Sequence, residues 1–363
     1  MQCKISPRLL ALVVSLSLAI GCATADEPKA TKPVANKGTL ASVNKGENTV
    51  SLIDLASGKT LVKLGVGPSP QEVTFSPSGK VGLVSNMGLS KPGEGPGKSL
   101  SVVSLEQKKI LREIPLGDHG APHGVIFLDE DNALMTSHVS DSIVHINVKE
   151  GKIERTLKTE GKGTHLVVLS PDKKTAYAIN AFSEDVSVIN LSEWKVTQRV
   201  KCGSRAEGIS ISPDGKWIAV GNVGGDSVTV IDAVKLEVVK TLTGLALPIR
   251  TFFTSDGVHM LVACANSGEL AVFDTKTLTE KKRIKLANAK GVTLTQGPFP
   301  MPMNFEADRK NGRIYSVLIN ADAVARSILA GSDVDKLLKN EILVKTGIAA
   351  FRVGALETAV DCD

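Results

Sequence analysis

Short alternations of apolar and polar residues, separated by turn residues, recur along most of the chain. Within residues 175–216 they predict four strands: Thr175–Asn180, Asp185–Asn190, Lys195–Lys201 and Glu207–Pro213. Gly, Asn, Asp and Pro lie between these runs, as turns require. Residues 217–258 repeat the pattern with WIAVGN, DSVTVID, VVKTL and a strand ending in SDG. A period of about 42 residues indicates a repeat architecture made of four-stranded units.

The repeats align on the residue that ends the second strand of each unit. Six of these residues are Asn and one is His: Asn44, Asn86, His138, Asn180, Asn222, Asn266 and Asn320. We call this series the ladder. Asn suits the position because its side chain can bond the backbone two residues on and turn the chain. Seven four-stranded units predict an all-β fold, a seven-bladed β-propeller over residues 38–352.

The other strands of the units support this prediction. The third strands are 49–54, 99–104, 142–147, 185–190, 227–232 and 269–274. Five of them end in turn-forming residues, namely Asp54, Asn147, Asn190, Asp232 and Asp274. The innermost strands precede turns such as SPDGK at 212–216 and are apolar on both faces. Strands of this kind are expected in sheets that stack face to face.

The two ends of the repeat region predict that the ring closes. The chain enters at Thr39–Asn44, a second-strand sequence without a preceding inner strand, and leaves at Ile348–Phe351, which resembles an inner strand. Pairing these two segments would complete the first blade and remove the exposed edges of an open array. Residues 353–363 are then expected to form a C-terminal tail.

The motifs V-x-N, S-x-x-V-I-D and S-P-D-G-K, as in VGN at 220–222, SVTVID at 227–232 and SPDGK at 212–216, resemble those of the YVTN-repeat β-propeller family. This family is similar in fold to bacterial lactonase propellers, to the haem d1 propeller and to the heavy chain of methylamine dehydrogenase. The resemblance covers nearly all of residues 38–352. It implies the propeller fold, but its members have unrelated activities, so it implies no single function.

The N-terminus predicts export. Lys4 and Arg8 precede the apolar run Leu9–Ile20, and small residues follow, so residues 1–25 are expected to be a secretory signal. Cleavage after Ala23-Thr24-Ala25 would leave Asp26 as the first residue. Alternatively, the sequence ending at Cys22 resembles a bacterial lipobox, in which this cysteine is lipidated. Residues 26–37 have the composition of a flexible tether. The expected location is the periplasm or cell envelope.

The amino-acid composition limits the classes of partner that we expect. Of the 363 residues, 42 % are hydrophobic and 22 % are charged, and the net charge of +5 falls to +3 without Lys4 and Arg8. No basic block contains aromatics, so nucleic acid is not expected as a partner. No other apolar run approaches 18 residues, so membrane contact is expected only through a lipid anchor. We expect a monomer.

Three cysteines follow the predicted signal. Cys202, Cys264 and Cys362 are either small buried thiols or include one disulfide.

Propeller geometry predicts where a binding site would lie. The loops before the inner strands and the loops after the second strands share one face, which we call the upper face. Two insertions lie there, Met87–Lys98 and Ala287–Met301. Long loops on a rigid scaffold often carry function.

Aligning the inner strands places one residue per blade at the mouth of the central channel: Gln71, His123, His165, Glu207, Ile249, Met303 and Thr346. Consecutive blades thus contribute His123, His165 and Glu207, which could together bind one divalent metal ion. A generic polar ligand pocket, or simple hydrogen bonding to loops and water, are the alternatives. His119 and His138 are predicted on the same face.

Arg250 and Asn304 lie one residue further along their strands. Arg250 is predicted either to meet a carboxylate or phosphate of a ligand or to pair with Glu72 or Glu207. The sequence contains no recognised catalytic motif. Two functional hypotheses remain. The first is a non-enzymatic propeller that binds a ligand or an envelope protein on its upper face. The second is a metal-dependent, lactonase-like hydrolase or lyase that uses His123, His165 and Glu207.

Overall fold

The structure is a computed structural model that describes residues 38–89, 92–286, 302–308, 313–318, 323–330, 333–345 and 350–357. Side chains are described up to residue 286 and for Pro302. The predicted signal, Cys22 and the tether lie outside the described residues, as do Ala287–Pro300 and Thr346. Within the described ranges, no helix is long and apolar enough to cross a bilayer.

All regular elements in these ranges are β-strands. The first are β1 Gly38–Asn44, β2 Thr49–Asp54, β3 Thr60–Gly65, β4 Pro70–Phe75, β5 Val81–Gly88, β6 Pro96–Ser104, β7 Lys109–Pro115, β8 Pro122–Phe127, β9 Asn132–Ser137, β10 Ser142–Asn147, β11 Lys152–Lys158, β12 Thr164–Leu169, β13 Thr175–Asn180 and β14 Asp185–Asn190. The others are β15 Lys195–Lys201, β16 Ala206–Ile211, β17 Trp217–Asn222, β18 Ser227–Asp232, β19 Glu237–Thr243, β20 Pro248–Phe253, β21 His259–Cys264, β22 Glu269–Asp274, β23 Thr279–Lys285, β24 Pro302–Asp308, β25 Arg313–Leu318, β26 Ala323–Ala330, β27 Asp333–Lys345 and β28 Ala350–Glu357.

Six antiparallel sheets each consist of four consecutive strands: β4–β7, β8–β11, β12–β15, β16–β19, β20–β23 and β24–β27. Strands β1, β2 and β3 form a further sheet, and β28 pairs with the free edge of β1. Four-stranded antiparallel sheets repeated in this way are those of a β-propeller.

Burial falls from the inner strands to the outer strand of each sheet. All six residues of β21 are buried, whereas five of the seven residues of β15 are exposed. Neighbouring sheets share their hydrophobic cores. One cluster joins Leu83 and Leu100 with Phe127 and Met135 of the next sheet. The apolar character of both faces of the inner strands is therefore explained by packing of sheet against sheet.

The predicted turn residues act as expected. The carboxylate of Asp274 accepts hydrogen bonds from the backbone N–H groups of Lys276 and Thr277. Asn190 and Asp232 accept equivalent bonds two and three residues on. In the SPDGK turn, Gly215 has a φ of +72° and its N–H bonds Ser212 O. Glycine suits that left-handed conformation because it has no Cβ.

The ladder differs from the prediction in two ways. Its Asn side chains do not turn the chain by bonding the backbone two residues on. Asn180 Nδ2 instead donates to Asp185 and Ser187 on β14, and its Oδ1 accepts from Thr159 and Thr164. Each such Asn thus fastens the second strand to the third.

The ladder also contains two wrong members. The residues at the register position of Asn180 in two other sheets are Ser137 and Cys264, not His138 and Asn266. In a third sheet this position is Leu318, and Asn320 lies outside the described residues. Strands β9 and β21 end one and two residues earlier than the repeat alignment predicts, because the turns that follow them keep their length and include His138 and Asn266.

Other observed boundaries also differ from the sequence prediction. β28 extends to Glu357 and so includes residues 353–357, which were predicted to lie in the tail. The insertion 87–98 is partly strand, since Gly88 of β5 pairs with Pro96 of β6. Cys202 and Cys264 are free thiols. Burial raises the pKa of these thiols to about 12 and about 11. Cys362 lies outside the described residues.

Candidate functional site

A β-bulge near the start of each inner strand positions the candidate residues. In each of the six sheets of consecutive strands, the inner strand contains one extra residue just after the first residue that pairs with the second strand. In β12, for example, the extra residue lies between Thr164 and Val167. Gln71, His123, His165, Glu207, Ile249 and Met303 lie in these bulges. Bulges bend the strand and redirect side chains.

Hydroxyl groups of the second strands fix the backbone at two of these positions. Ser85 Oγ donates to His123 O at 2.8 Å in the next sheet, and Thr136 Oγ1 donates to His165 O. The same hydroxyls accept the N–H groups of the bulges in their own sheets. The carbonyl of each histidine is therefore held by a hydroxyl of the preceding sheet, and that hydroxyl is itself bonded to the bulge of its own sheet.

A close backbone approach positions Glu207. Gly208 follows it, and a Cβ at that residue would lie only 2.5 Å from Ile249 O. Glycine is required there because any other side chain would collide with the backbone of β20. The approach brings Glu207 next to Arg250, whose Nη1 lies 3.4 Å from Glu207 Oε1.

The side chains of His123, His165 and Glu207 converge, as the sequence predicts. One donor atom from each lies within 4.8 Å of the others. The two imidazole centroids are 3.8 Å apart, and His165 Nε2 lies 3.0 Å from Glu207 Oε1. We call these three residues the His–His–Glu centre. Two nitrogens and one carboxylate oxygen at this spacing could hold a metal ion.

Burial leaves the imidazoles of the centre with unsatisfied nitrogens. His123 and His165 are 2 % and 7 % exposed. Nδ1 of His123 and Nδ1 of His165 have no hydrogen-bond partner among the described residues, whereas Nε2 of His165 faces Glu207 Oε1. Buried polar atoms are normally hydrogen-bonded, so these nitrogens indicate a place for an external ligand or ion.

The charges of the centre are arranged in an ionic chain. Arg250 Nη2 lies 3.0 Å from Glu72 Oε1, so this guanidinium joins β20 both to β4 and to Glu207 on β16. Burial would raise the pKa of Glu207, but His165 and Arg250 outweigh it and lower this pKa to about 2. Burial holds the pKa of His123 well below its usual value, and His165 and Arg250 lower it further. At neutral pH the centre therefore contains the ionised carboxylate of Glu207 and the uncharged imidazole of His123.

His138 lies beside the centre, although it is not a ladder residue. Its ring is 5.7 Å from that of His165 and 5.1 Å from that of Phe182. Burial lowers the pKa of His138, and His165 lowers it further. These rings, with Glu207 and Arg205, line a cavity of about 180 Å³ that we call the side pocket.

Of the other predicted residues, His119 does not join the centre. His119 Nδ1 hydrogen-bonds Ser140 Oγ at 2.9 Å instead. Gln71 occupies the bulge of β4, where it is buried and its Oε1 has no hydrogen-bond partner among the residues that the structure describes. Asn304 lies on β24, and its side chain is outside the described part of the chain. By register, β28 would contribute Phe351 to the ring of channel residues, because Ala350 pairs with Asn44. Thr346, which was predicted there, lies outside the described residues.

The sequence pattern did not predict three residues near the centre. Lys45 is half-buried, and the charges of Glu207 and Glu94 act on it. Phe182 and Arg205 lie in the loops that follow β13 and precede β16. The sequence could have pointed to Phe182 and Arg205 only by their position, because both lie in loops that were predicted on the upper face, near Glu207.

Comparisons with known proteins agree with the fold. Residues 162–343, half of the chain, match a family model described as "YNCE-like beta-propeller". No curated protein matches the chain significantly. Many solved structures do.

Three of these structures illustrate the range of related proteins. Hydrazine synthase of Kuenenia stuttgartiensis is 19 % identical with a TM-score of 0.68, covering 82 % of this chain and 96 % of that one. A functionally unknown protein from Desulfotomaculum acetoxidans is 13 % identical with a TM-score of 0.69, covering 88 % and 99 %. A Bacteroides uniformis protein described as a candidate 6-phosphogluconolactonase is 12 % identical with a TM-score of 0.69, covering 88 % and 100 %. At these identities the similarity shows the fold alone.

Proposed function

Since the chain belongs to the YNCE-like β-propeller family, we propose that it is an exported, seven-bladed propeller that binds a small ligand at its upper face. The observation that carries this proposal is the His–His–Glu centre. Three potential ligand groups from consecutive inner strands meet there, and two of them are buried histidines with unsatisfied nitrogens. The proposal is of a binding protein, not of an enzyme.

The seven-bladed, closed ring is part of the proposal. Six sheets of consecutive strands supply six blades, and β28 paired with β1, β2 and β3 would supply the seventh. The antiparallel register between Gly38 and Asn44 on one side and Ala350 and Glu357 on the other supports this closure. A closed ring leaves only short, protected sheet edges.

The centre would bind its ligand through a divalent metal ion. Imidazole nitrogen with one carboxylate oxygen is a donor set typical of zinc and related transition metals. Three protein ligands leave at least one coordination position for an external molecule. The contact of Arg250 with Glu207 would orient the carboxylate, as outer-shell partners do in metal sites.

Isothermal titration of metal-free protein with Zn²⁺ tests this centre. We expect one equivalent to bind, and we expect His165→Ala to abolish the binding. His119→Ala is the matched control, because this histidine lies on the same face but bonds Ser140. Absence of zinc binding, or equal binding by the two variants, would contradict the proposed centre.

A metal-dependent, lactonase-like hydrolase or lyase is the second candidate function. It is favoured by His138, which lies beside His165 and whose lowered pKa would leave it free to accept a proton at neutral pH. The metal would polarise a lactone carbonyl. Zinc-loaded protein should then hydrolyse a simple δ-lactone, followed by pH-stat, and His138→Ala should lose most of this activity. A rate equal to that of the metal-free protein would exclude the idea.

We further propose location in the periplasm or cell envelope, on the strength of the N-terminal pattern. Lipidation of Cys22 and cleavage before Asp26 are two alternatives that differ in mass. Mass spectrometry of the N-terminus in the native host distinguishes them, and an intact Met1 would contradict both.

A further inference from the structure

We infer that the side pocket takes a small planar carboxylate, and that it does so when the His–His–Glu centre holds its metal. This inference rests on the proposed function, because it names the ligand class for the same centre. It draws on the shape of the pocket, the rings that line it and the balance of charge around Glu207.

The shape of the side pocket suits a single ring. Its volume is about 180 Å³, and a cavity of about 150 Å³ is known to accommodate benzene. Phe182 forms the outer wall, and 70 % of its surface is exposed. An aromatic side chain in this position offers apolar area that the fold itself does not cover.

The rings around the side pocket are spaced for contact with a flat ligand. His138 stands between Phe182 and His165, at centroid distances of 5.1 Å and 5.7 Å and at interplanar angles of 58° and 63°. Aromatic groups favour inclined arrangements of this kind, with centroids 4.5–7 Å apart. A planar ring that enters the pocket can therefore pack against Phe182 and point its substituent toward His165 and Glu207.

The charge of the substituent follows from the two cationic groups that would face it, Arg205 and the metal of the centre. Arg205 lines the pocket from its exposed loop, and a guanidinium binds a carboxylate through a pair of hydrogen bonds. A divalent metal at the centre would outweigh the single charge of Glu207 and attract an anion. Without the metal, the ionised Glu207 would repel that anion. Carboxylate binding should thus depend on the metal.

Three probes of one shape test this inference: benzoate, benzamide and benzamidine, which differ mainly in charge. Zinc binding is measured first, and the zinc-loaded protein is then titrated calorimetrically with each probe. We expect benzoate to bind at least tenfold more tightly than benzamide, benzamidine to bind least, and benzoate to bind weakly or not at all without zinc. By thermodynamic reciprocity, benzoate should increase the affinity for zinc by the same factor.

Two variants separate the pocket from the centre. Phe182→Ala and Arg205→Asn should each weaken benzoate binding about tenfold and leave zinc binding unchanged. Asn is chosen because Arg205 has a φ of +51°, which Asn tolerates well. Val139→Ala is the control, since Val139 is exposed and does not line the side pocket.

The possible failures are distinguishable. If zinc binds but benzamidine binds as tightly as benzoate, or if both pocket variants bind benzoate normally, the inference is wrong and the metal centre stands. If zinc does not bind, the proposed centre fails first, and the inference fails with it.

Discussion

At the scale of single residues, Arg250 is the cation that pairs with the two buried carboxylates next to the His–His–Glu centre. Its side chain is 7 % exposed and Glu72 is fully buried. We expect Arg250→Ala to lower the free energy of unfolding by roughly 3–5 kcal/mol, because removal of one partner leaves buried charge uncompensated. Urea denaturation at neutral pH measures this loss.

Arg283→Ala is the control for this prediction. Arg283 also pairs with two carboxylates, Glu280 and Glu269, but its side chain is 27 % exposed. Exposed ion pairs contribute about 1 kcal/mol or less, so the control should lose little stability. A loss in Arg250→Ala no larger than that of the control would mean that the ionic chain is not important for stability.

The His–His–Glu centre could be predicted from sequence because its members repeat with the inner strands. His123, His165 and Glu207 are separated by one repeat each, so equal positions in equal strands suffice to bring them together. Phe182 and Arg205 could not be predicted in this way, because each occurs once and in a loop. Arg250 was predicted either to meet an anionic group of a ligand or to pair with Glu72 or Glu207, and it contacts both of these residues.

At the scale of the elements, the strands were easier to predict than their register. The third strands β2, β10, β14, β18 and β22 have the predicted bounds, since alternating β-branched residues between turn formers mark both ends. His138 was misplaced because Ser137 and His138 are both polar residues at the end of β9, and composition does not tell which of two neighbours pairs across the sheet. In the structure Ser137 pairs with Ser142 on β10, which identifies Ser137 as the residue at the ladder position.

The ladder Asn residues are predicted to stabilise their sheets through side-chain hydrogen bonds. Asn180 is fully buried and makes four such bonds. We expect Asn180→Ala to cost about 3 kcal/mol in unfolding free energy, since each buried polar group left without a partner costs roughly 1–3 kcal/mol. Asn190→Ala in the same sheet should cost less, because Asn190 is at an exposed turn. Equal losses would show that the buried bonds contribute no more than a turn.

At the scale of the whole molecule, the proposed closure of the ring makes the stability of the fold depend on pairing between its first and last strands. If β28 supplies the inner strand of the first blade, then it covers the edge of β1 that would otherwise be open. The repeat pattern predicted this partnership because the chain begins with a second-strand sequence and ends with an inner-strand sequence. It could not predict where β28 ends, because the strand continues past the last position that the repeat defines.

Two truncations test the closure. Deletion of residues 350–363 removes β28 and its seven paired residues on β1, and we expect a loss on the order of 5 kcal/mol, at about 1 kcal/mol for each backbone hydrogen bond. The uncovered edge of β1 should also promote association, which size-exclusion chromatography would detect. Deletion of residues 358–363 leaves β28 in place and should change neither the melting temperature nor the elution volume. If both truncated proteins melt and elute alike, β28 does not close the ring, and the sheet of β1, β2 and β3 must be stable with its inner edge open.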